Sequence, residues 1–328
     1  MPTLKSKPAL KKIAITTGDP SGIGFEVTAK ALAQIKPVKG TLFFLFRDQQ
    51  QEKKQARYFK LIDSTWTRLT FFSLDVALDF VSSLEINKPT QNNYLIDLSL
   101  KSNAADWVVQ AATACLNKNL DGLVTGPLSK TLVKQSGRKE LGHTGLFRTL
   151  CPKAELHMAF VGKDFHVLIA TDHIPFSKIE SSLNKKMMAS SFKAAKKMQA
   201  LIGSKKDIAV LGLNPHAGES GLIGSFENKF LKKLPQGFRG PLVPDAAFLK
   251  KNWNKYSLFL CLYHDQGLIP FKMHHGQDAG VHFTIGLPFV RTSVDHGTAF
   301  ELYNKNLANP NSMLDAINLN LKLTTSGV

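Results

Sequence analysis

The chain has 328 residues, 43% of them hydrophobic and 20% charged, a composition that excludes disordered and fibrous classes and leaves room for about two domains. Its 42 Lys+Arg against 25 Asp+Glu give a formal charge of +17. Arginine occurs only at Arg47, Arg57, Arg68, Arg138, Arg148, Arg239 and Arg291, and lysine doublets are scattered from Lys11-Lys12 to Lys250-Lys251. A nucleic-acid footprint gathers arginine and stacking aromatics on one face, so a solvated lysine surface is expected, with no nucleic-acid or membrane partner.

The first predicted strand, Ile13–Thr16, runs into Thr17-Gly-Asp-Pro-Ser-Gly-Ile-Gly24 and then a helix on which Ile23, Val27, Ala31 and Ile35 step by four. Gly18, Gly22 and a Ser21 N-cap would present free backbone N–H groups to an anion at that turn; a plain strand-to-helix turn is the alternative. A second strand is predicted at Leu42–Phe46, and Val108, Ala111, Ala112 and Cys115 share one face of a helix. The strand Leu123–Thr125 leads into Thr125-Gly-Pro-Leu-Ser-Lys130, and Gly142-His143-Thr144-Gly145 forms a further loop whose donors suit a carboxylate or phosphate. Next come a strand at His166–Ala170, a lysine-rich helix with Met188, Phe192, Ala195 and Met198 on one face, and strands at Ile208–Leu213 and Leu258–Tyr263.

This alternation is the α/β signature. With no long linker marking a boundary, two α/β lobes sharing the chain discontinuously are expected, with the active site in the cleft between them. Approximate bounds are 1–135 plus 285–328 for the first lobe and 136–284 for the second. Cys115, Cys151 and Cys261 are too few and too separated for a disulfide framework. The N-terminus has no apolar signal region and no apolar run approaches a membrane span, so a cytoplasmic location is expected.

Three predicted strands each end in a histidine: Ala-Thr-Asp-His173, Leu-Asn-Pro-His216 and Leu-Tyr-His264. Ligands of open α/β sheets bind beyond the carboxyl ends of strands, and three imidazoles there suit a borderline divalent metal. Separate turn histidines satisfying backbone carbonyls are the other reading. Asp172 and Asp265, each beside one of them, are candidates to fix a tautomer. The stretch from Tyr263 to Thr298 adds Lys272, His282, Arg291, Asp295 and His296, with Lys and Arg suited to clamping phosphate or carboxylate. His274 and His275 read as exposed loop residues, His157 and His166 as structural ones.

The segments Thr-Gly-Asp-Pro-Ser-Gly-Ile-Gly, Val-Thr-Gly-Pro-Leu-Ser-Lys, Gly-His-Thr, Leu-Gly-Leu-Asn-Pro-His-Ala-Gly-Glu, Tyr-His-Asp-Gln-Gly and Arg-Thr-Ser-Val-Asp-His-Gly-Thr-Ala occur here in one order. In that order they resemble the 4-hydroxythreonine-4-phosphate dehydrogenase family of pyridoxal phosphate biosynthesis, from about Ile13 to the C-terminus and most strongly from Asp207 to Ala299. The resemblance implies an isocitrate/isopropylmalate-dehydrogenase-like fold, a homodimer, NAD(P), a divalent metal (zinc, magnesium or cobalt) and a small phosphorylated substrate. It assigns His173, His216 and His264 as metal ligands shared across the dimer interface in the second lobe. His143, Thr144, Lys272, His282 and Arg291 become substrate-binding positions, and Asp245, Asp265 and Lys272 catalytic ones. The cofactor falls to Gly18, Ser21, Gly22, His296 and Gly297.

Three departures bear on the substrate. Gly145 stands where the family usually has Glu, His282 where it has Asn, and the Lys272–Gly280 loop is one residue longer. A related dehydrogenase acting on another phosphorylated four-carbon acid, such as 4-phosphoerythronate, is the near alternative. A metal-dependent hydrolase or lyase on the same histidines and a basic nucleic-acid-binding protein are remote ones.

Overall fold

Ile13, Ala14 and Ile15, like Phe43, Phe44 and Leu45, are buried on both faces of their strands, as strands inside a helix-covered parallel sheet must be. The computed structural model describes residues 10–83, 93–140, 142–276 and 280–325. Its strands are β1 (Lys11–Thr16), β2 (Thr41–Asp48), β3 (Thr67–Phe71), β4 (Tyr94–Leu100), β5 (Gly122–Thr125), β6 (His157–Val161), β7 (His166–Ile169), β8 (Ile208–Leu211), β9 (Phe238–Leu242), β10 (Phe259–Cys261), β11 (Val281–Ile285) and β12 (Val290–Val294). The chain divides into two compact units, Met1–Pro152 with Pro288–Val328, and Lys153–Leu287.

In the first unit the strand order is β3-β4-β2-β1-β5-β12, and every neighbouring pair is parallel. The register sets Thr16 beside Thr125 and Thr125 beside Ser293, so β1, β5 and β12 end in one row. Helix Gly24–Gln34 buries Val27 and Ala31 as the four-residue step requires. Helix Ala104–Leu116 is N-capped by Asn103, whose side chain accepts from the N–H groups of Ala105 and Asp106. Helix His143–Leu150 lies in the stretch that the sequence assigns to the second lobe. It packs instead on helix Ala104–Leu116, with Leu146 and Phe147 buried, and belongs to the first unit.

In the second unit the order is β11-β6-β7-β10-β8-β9. β11–β6 and β6–β7 are antiparallel, whereas β7–β10, β10–β8 and β8–β9 are parallel. Phe165, Val167, Ile169, Phe259, Cys261, Leu268 and Phe271 form its core. The lysine-rich helix Lys185–Leu201 buries Met188, Ala195 and Met198. Among the described residues no helix is long and apolar enough to cross a membrane.

Candidate functional site

Three loops of the first unit leave the row of strand ends: residues 17–23 after β1, 126–129 after β5 and 295–298 after β12. They approach backbone to backbone. Gly18 has φ +78°, and a Cβ there would overlap the Pro127 carbonyl; a Cβ on Gly22 would lie 2.6 Å from the Thr298 carbonyl oxygen. Only glycine fits either place. The buried Asp19 carboxylate accepts from the Ser21 N–H at 3.1 Å and from the Ser129 hydroxyl at 2.6 Å. The Gly22 N–H donates to the Asp19 carbonyl and the Ile23 N–H to the Thr298 carbonyl, both at 3.0 Å.

The sequence expectation for this turn is therefore corrected. The N–H groups of Ser21, Gly22 and Ile23 are consumed within the protein, because Asp19 supplies the anion and the 295–298 loop supplies a carbonyl. Nor is Ser21 the N-cap. Ile23 precedes the helix without a side-chain cap, and Ser21 is exposed.

What these loops leave open lies at His296 and Gly297. His296 Nδ1 donates to the Gly297 carbonyl at 2.9 Å, which makes Nε2 the lone-pair nitrogen. That Nε2 is buried with no partner among the described residues, and nothing lies within 4 Å of a Cβ built on Gly297. A buried acceptor without a partner among the described residues fits a group carrying O–H or N–H donors, such as the nucleoside of a dinucleotide.

Arg291, buried on β12, donates to the Thr125 hydroxyl, and its guanidinium lies 5.2 Å from the Phe147 ring centroid. Burial brings its pKa down to about 9. His143 opens helix His143–Leu150 with its ring stacked 6.4 Å from Phe147. Burial, and then the charge of Arg291, hold the imidazole well below its usual range, so it is neutral at pH 7. Its Nε2 is buried and has no partner among the described residues. A desolvated guanidinium beside a neutral imidazole suits an anion that needs both charge and a directed hydrogen bond. Thr144 follows His143 in the same first turn. A Cβ on Gly145 would lie 3.0 Å from the Cβ of Glu140, so a larger side chain has little room there. A cavity of about 870 Å³ elsewhere in this unit, lined by Gln49, Phe72, Ser99, Lys101, Gln110 and Asn117, carries none of the candidate residues.

In the second unit β7, β10 and β8 are parallel neighbours, so the segments bearing His173, His264 and His216 leave the same sheet edge. Two side chains tie these exits together. The Thr171 N–H and hydroxyl both donate to the Leu262 carbonyl, at 3.2 and 2.9 Å. Gln266 accepts from the Leu262 N–H and donates to the Gly212 carbonyl, each at 2.7 Å. The His173 and His264 ring centroids lie 4.9 Å apart. His264 Nδ1 donates to the Asp265 carboxylate at 2.6 Å, leaving Nε2 as the lone-pair nitrogen, which is how an outer carboxylate prepares a metal-binding histidine.

His216 begins a run of left-handed residues, His216 through Ser220, with φ from 41° to 78°. Such a run is costly for non-glycine residues, and Glu227 braces it. The N–H groups of Leu213 and Asn214 donate to Glu227 Oε1 at 2.8 Å each, and the Asn214 amide donates to Oε2 at 3.0 Å. Burial pushes the Glu227 carboxyl up, but these bonds outweigh it and hold it below its usual range. His216 itself is exposed, 3.8 Å from Glu219.

Among the described residues the three histidines do not form one group with all ligand atoms within 4.8 Å; the rings of His173 and His264 are brought together. The donor set, with a tautomer fixed at His264, fits a divalent metal completed by a further ligand.

Asp245 is exposed on the short helix Pro244–Ala247, which packs against the His216 segment. Lys272 is exposed on helix His264–His275, and residues 277–279 of the Lys272–Gly280 loop lie outside the described residues. His282 stacks on its cross-strand partner Phe160 at 5.1 Å. His274 and His275 are not loop residues, as the sequence suggests, but the last turn of that helix, which continues through Pro270.

Two α/β units with candidate site residues on loops at their strand ends are the class this structure defines. A family model described as pyridoxal phosphate biosynthetic protein PdxA matches residues 50–320. A 4-hydroxythreonine-4-phosphate dehydrogenase of Sulfurihydrogenibium sp. is 32% identical over 95% of this chain and 98% of its own. The enzyme of that name from Aquifex aeolicus is 34% identical over 94% and 97%. The crystal structure of a 4-hydroxythreonine-4-phosphate dehydrogenase from Klebsiella pneumoniae aligns with TM-score 0.74 at 26% identity, over 96% of this chain and 99% of that one. One from Burkholderia phymatum aligns at 0.72 and 26%, over 96% and 98%. The chain belongs to the PdxA family.

Proposed function

We propose that the chain is an NAD(P)- and divalent-metal-dependent dehydrogenase. It oxidises 4-phosphooxy-L-threonine at C3 to 2-amino-3-oxo-4-phosphooxybutanoate, a β-keto acid that loses CO₂ to give 3-amino-2-oxopropyl phosphate in pyridoxine 5'-phosphate biosynthesis. The observation that carries this reading is the His173–His264 pair at a parallel sheet edge, with His264 Nδ1 held by Asp265, in a chain similar over almost its whole length to enzymes of that name. A zinc, magnesium or cobalt ion would be held by His173, His216 and His264 and would supply polarisation of the substrate hydroxyl, and NAD(P), held beside His296 and Gly297, would supply the hydride acceptor.

The chain's own residues do the rest. Arg291 supplies charge to one anionic end of the substrate, while the neutral His143 supplies a directed hydrogen bond and Thr144 a hydroxyl. Lys272 and His282, on the second unit, are the further positions given to substrate binding. Asp265 orients His264 through Nδ1, and Asp245, Asp265 or water takes the C3 hydroxyl proton. The chain would act as a cytoplasmic homodimer, with the ligand set shared between copies.

His282 and Gly145, which stand where the family usually has Asn and Glu, motivate one second reading, a related phosphorylated four-carbon acid such as 4-phosphoerythronate. The assignment of ligands is tested by His216→Ala. Turnover that depends on metal is expected to vanish with the circular dichroism unchanged; normal activity in a verified metal-poor variant overturns it.

A further inference from the structure

At the far end of helix His264–His275 from His264, the turn between β6 and β7 brings Asp164 against His274 and His275. The ligand atoms of these three side chains all lie within 4.8 Å of one another, the one such group of three among the described residues. His274 Nε2 lies 2.7 Å from Asp164 Oδ2. His275 Nδ1 donates to the Phe271 carbonyl at 3.1 Å, so Nε2 carries the lone pair, which accepts from the Asp164 N–H at 3.3 Å. A backbone acceptor on one imidazole nitrogen is the arrangement that orients the other for a metal.

The rings are held by packing. The Trp253 ring centroid is 4.0 Å from that of His274, and Phe165 and Phe271 lie 4.7 and 4.5 Å from His275. A Cβ on Gly162 would come within 2.6 Å of His275 Nε2 and Cε1, so glycine makes the space for that ring. The three groups also sit at a helix C-terminus, where the dipole favours a cation.

We propose that Asp164, His274 and His275 form a second divalent-metal site, for a borderline ion of the zinc class, separate from the histidines at the strand ends. Two imidazoles and one carboxylate are the donor set such ions take, with water completing the coordination. On binding, the proton on His274 Nε2 is lost to solvent while Nδ1 takes one up from solvent, so that a neutral imidazole presents Nε2 to the ion; the His274–Asp164 hydrogen bond and the bond from the Asp164 N–H to His275 Nε2 give way to three bonds to the ion. The ion then clamps the β6–β7 turn to the last turn of the helix that carries Lys272.

The test uses the full chain stripped with chelator and titrated with Zn²⁺ alone, by calorimetry and by metal analysis after dialysis. A zinc site is expected to persist in His216→Ala and to weaken at least about tenfold when His274→Gln or Asp164→Asn is added to it, ligand loss exceeding the usual effect of outer-shell changes. Co²⁺ is expected to quench the fluorescence of Trp253 in the otherwise unaltered chain, a component that Trp253→Phe removes, so the site is read even where a ligand variant fails to fold. Equal zinc affinity with and without His274→Gln, or Trp253 emission indifferent to Co²⁺, overturns the proposal.

Discussion

Glu227 offers a calculable test of how the His216 segment is held. Truncation to alanine removes the acceptor for the Leu213 and Asn214 N–H groups, at 2.8 Å each, and for the Asn214 amide at 3.0 Å. A buried donor left unpaired costs about 1–3 kcal/mol. Leu213 and Asn214 are half-buried, so water recovers part of this, and Glu227→Ala is expected to destabilise the protein by about 2–4 kcal/mol. Glu227→Gln keeps a carbonyl oxygen for the two backbone donors and loses the charge and the Asn214 amide contact, for a cost of about 1–2 kcal/mol. Because hydrogen bonding holds the native carboxyl below its usual range despite burial, its stabilisation is complete above the unfolded value of about 4.3 and is lost as pH falls through the native value. Urea unfolding followed by far-ultraviolet circular dichroism, repeated from pH 7 downward, reads all three quantities. Glu227→Ala within about 0.5 kcal/mol of the parent protein, or equal to Glu227→Gln, refutes the bracing role.

Three further outcomes are expected. Asp265→Asn replaces the acceptor on His264 Nδ1 with a neutral amide and should weaken metal binding at the strand-end histidines by about 10–100-fold, measured by competition with a chelating dye. Burial and Arg291 keep His143 from protonating in the folded protein, so below about pH 6.5 the unfolded chain takes up a proton that the native one refuses and stability declines. His143→Gln should flatten that decline in urea midpoints measured between about pH 7 and 5. In Gly22→Ala the new methyl meets the Thr298 carbonyl at 2.6 Å, displacing the loop that carries His296. NAD(P) affinity by fluorescence titration should fall while zinc binding in the second unit is unchanged.

Strands with unbroken apolar runs were legible in the sequence, and β1, β2, β5, β7, β8 and β10 lie where those runs fall. The remaining strands carry polar residues that long-range partners satisfy. β4 buries Asp97, which receives two bonds from Arg47, at 2.7 and 2.8 Å, and one from Arg68. β12 buries Arg291, Thr292 and Ser293, and β9 contains Gly240 and Pro241. No local periodicity announces a strand whose charges are neutralised from another element.

The site divides in the same way. Histidines at strand ends stand out because an apolar run points at each. Glu227, bonded to Leu213 and Asn214, has no local signature, and neither does the Asp19–Ser129 pair that closes the first loop. His274 and His275 were hidden by Gly267 and Pro270, which suggest a broken segment where the chain forms a continuous helix.

In the proposed function the strand-end histidines hold a metal for oxidation of a phosphorylated four-carbon hydroxy acid by NAD(P). Its most direct test follows NAD(P)H formation by the purified chain over a panel containing 4-phosphooxy-L-threonine and 4-phosphoerythronate, before and after chelation and with metal restored. Turnover with 4-phosphooxy-L-threonine that chelation abolishes and a divalent ion recovers is expected. Turnover that survives verified metal removal, or no NAD(P)H from any member of the panel with metal present, contradicts it.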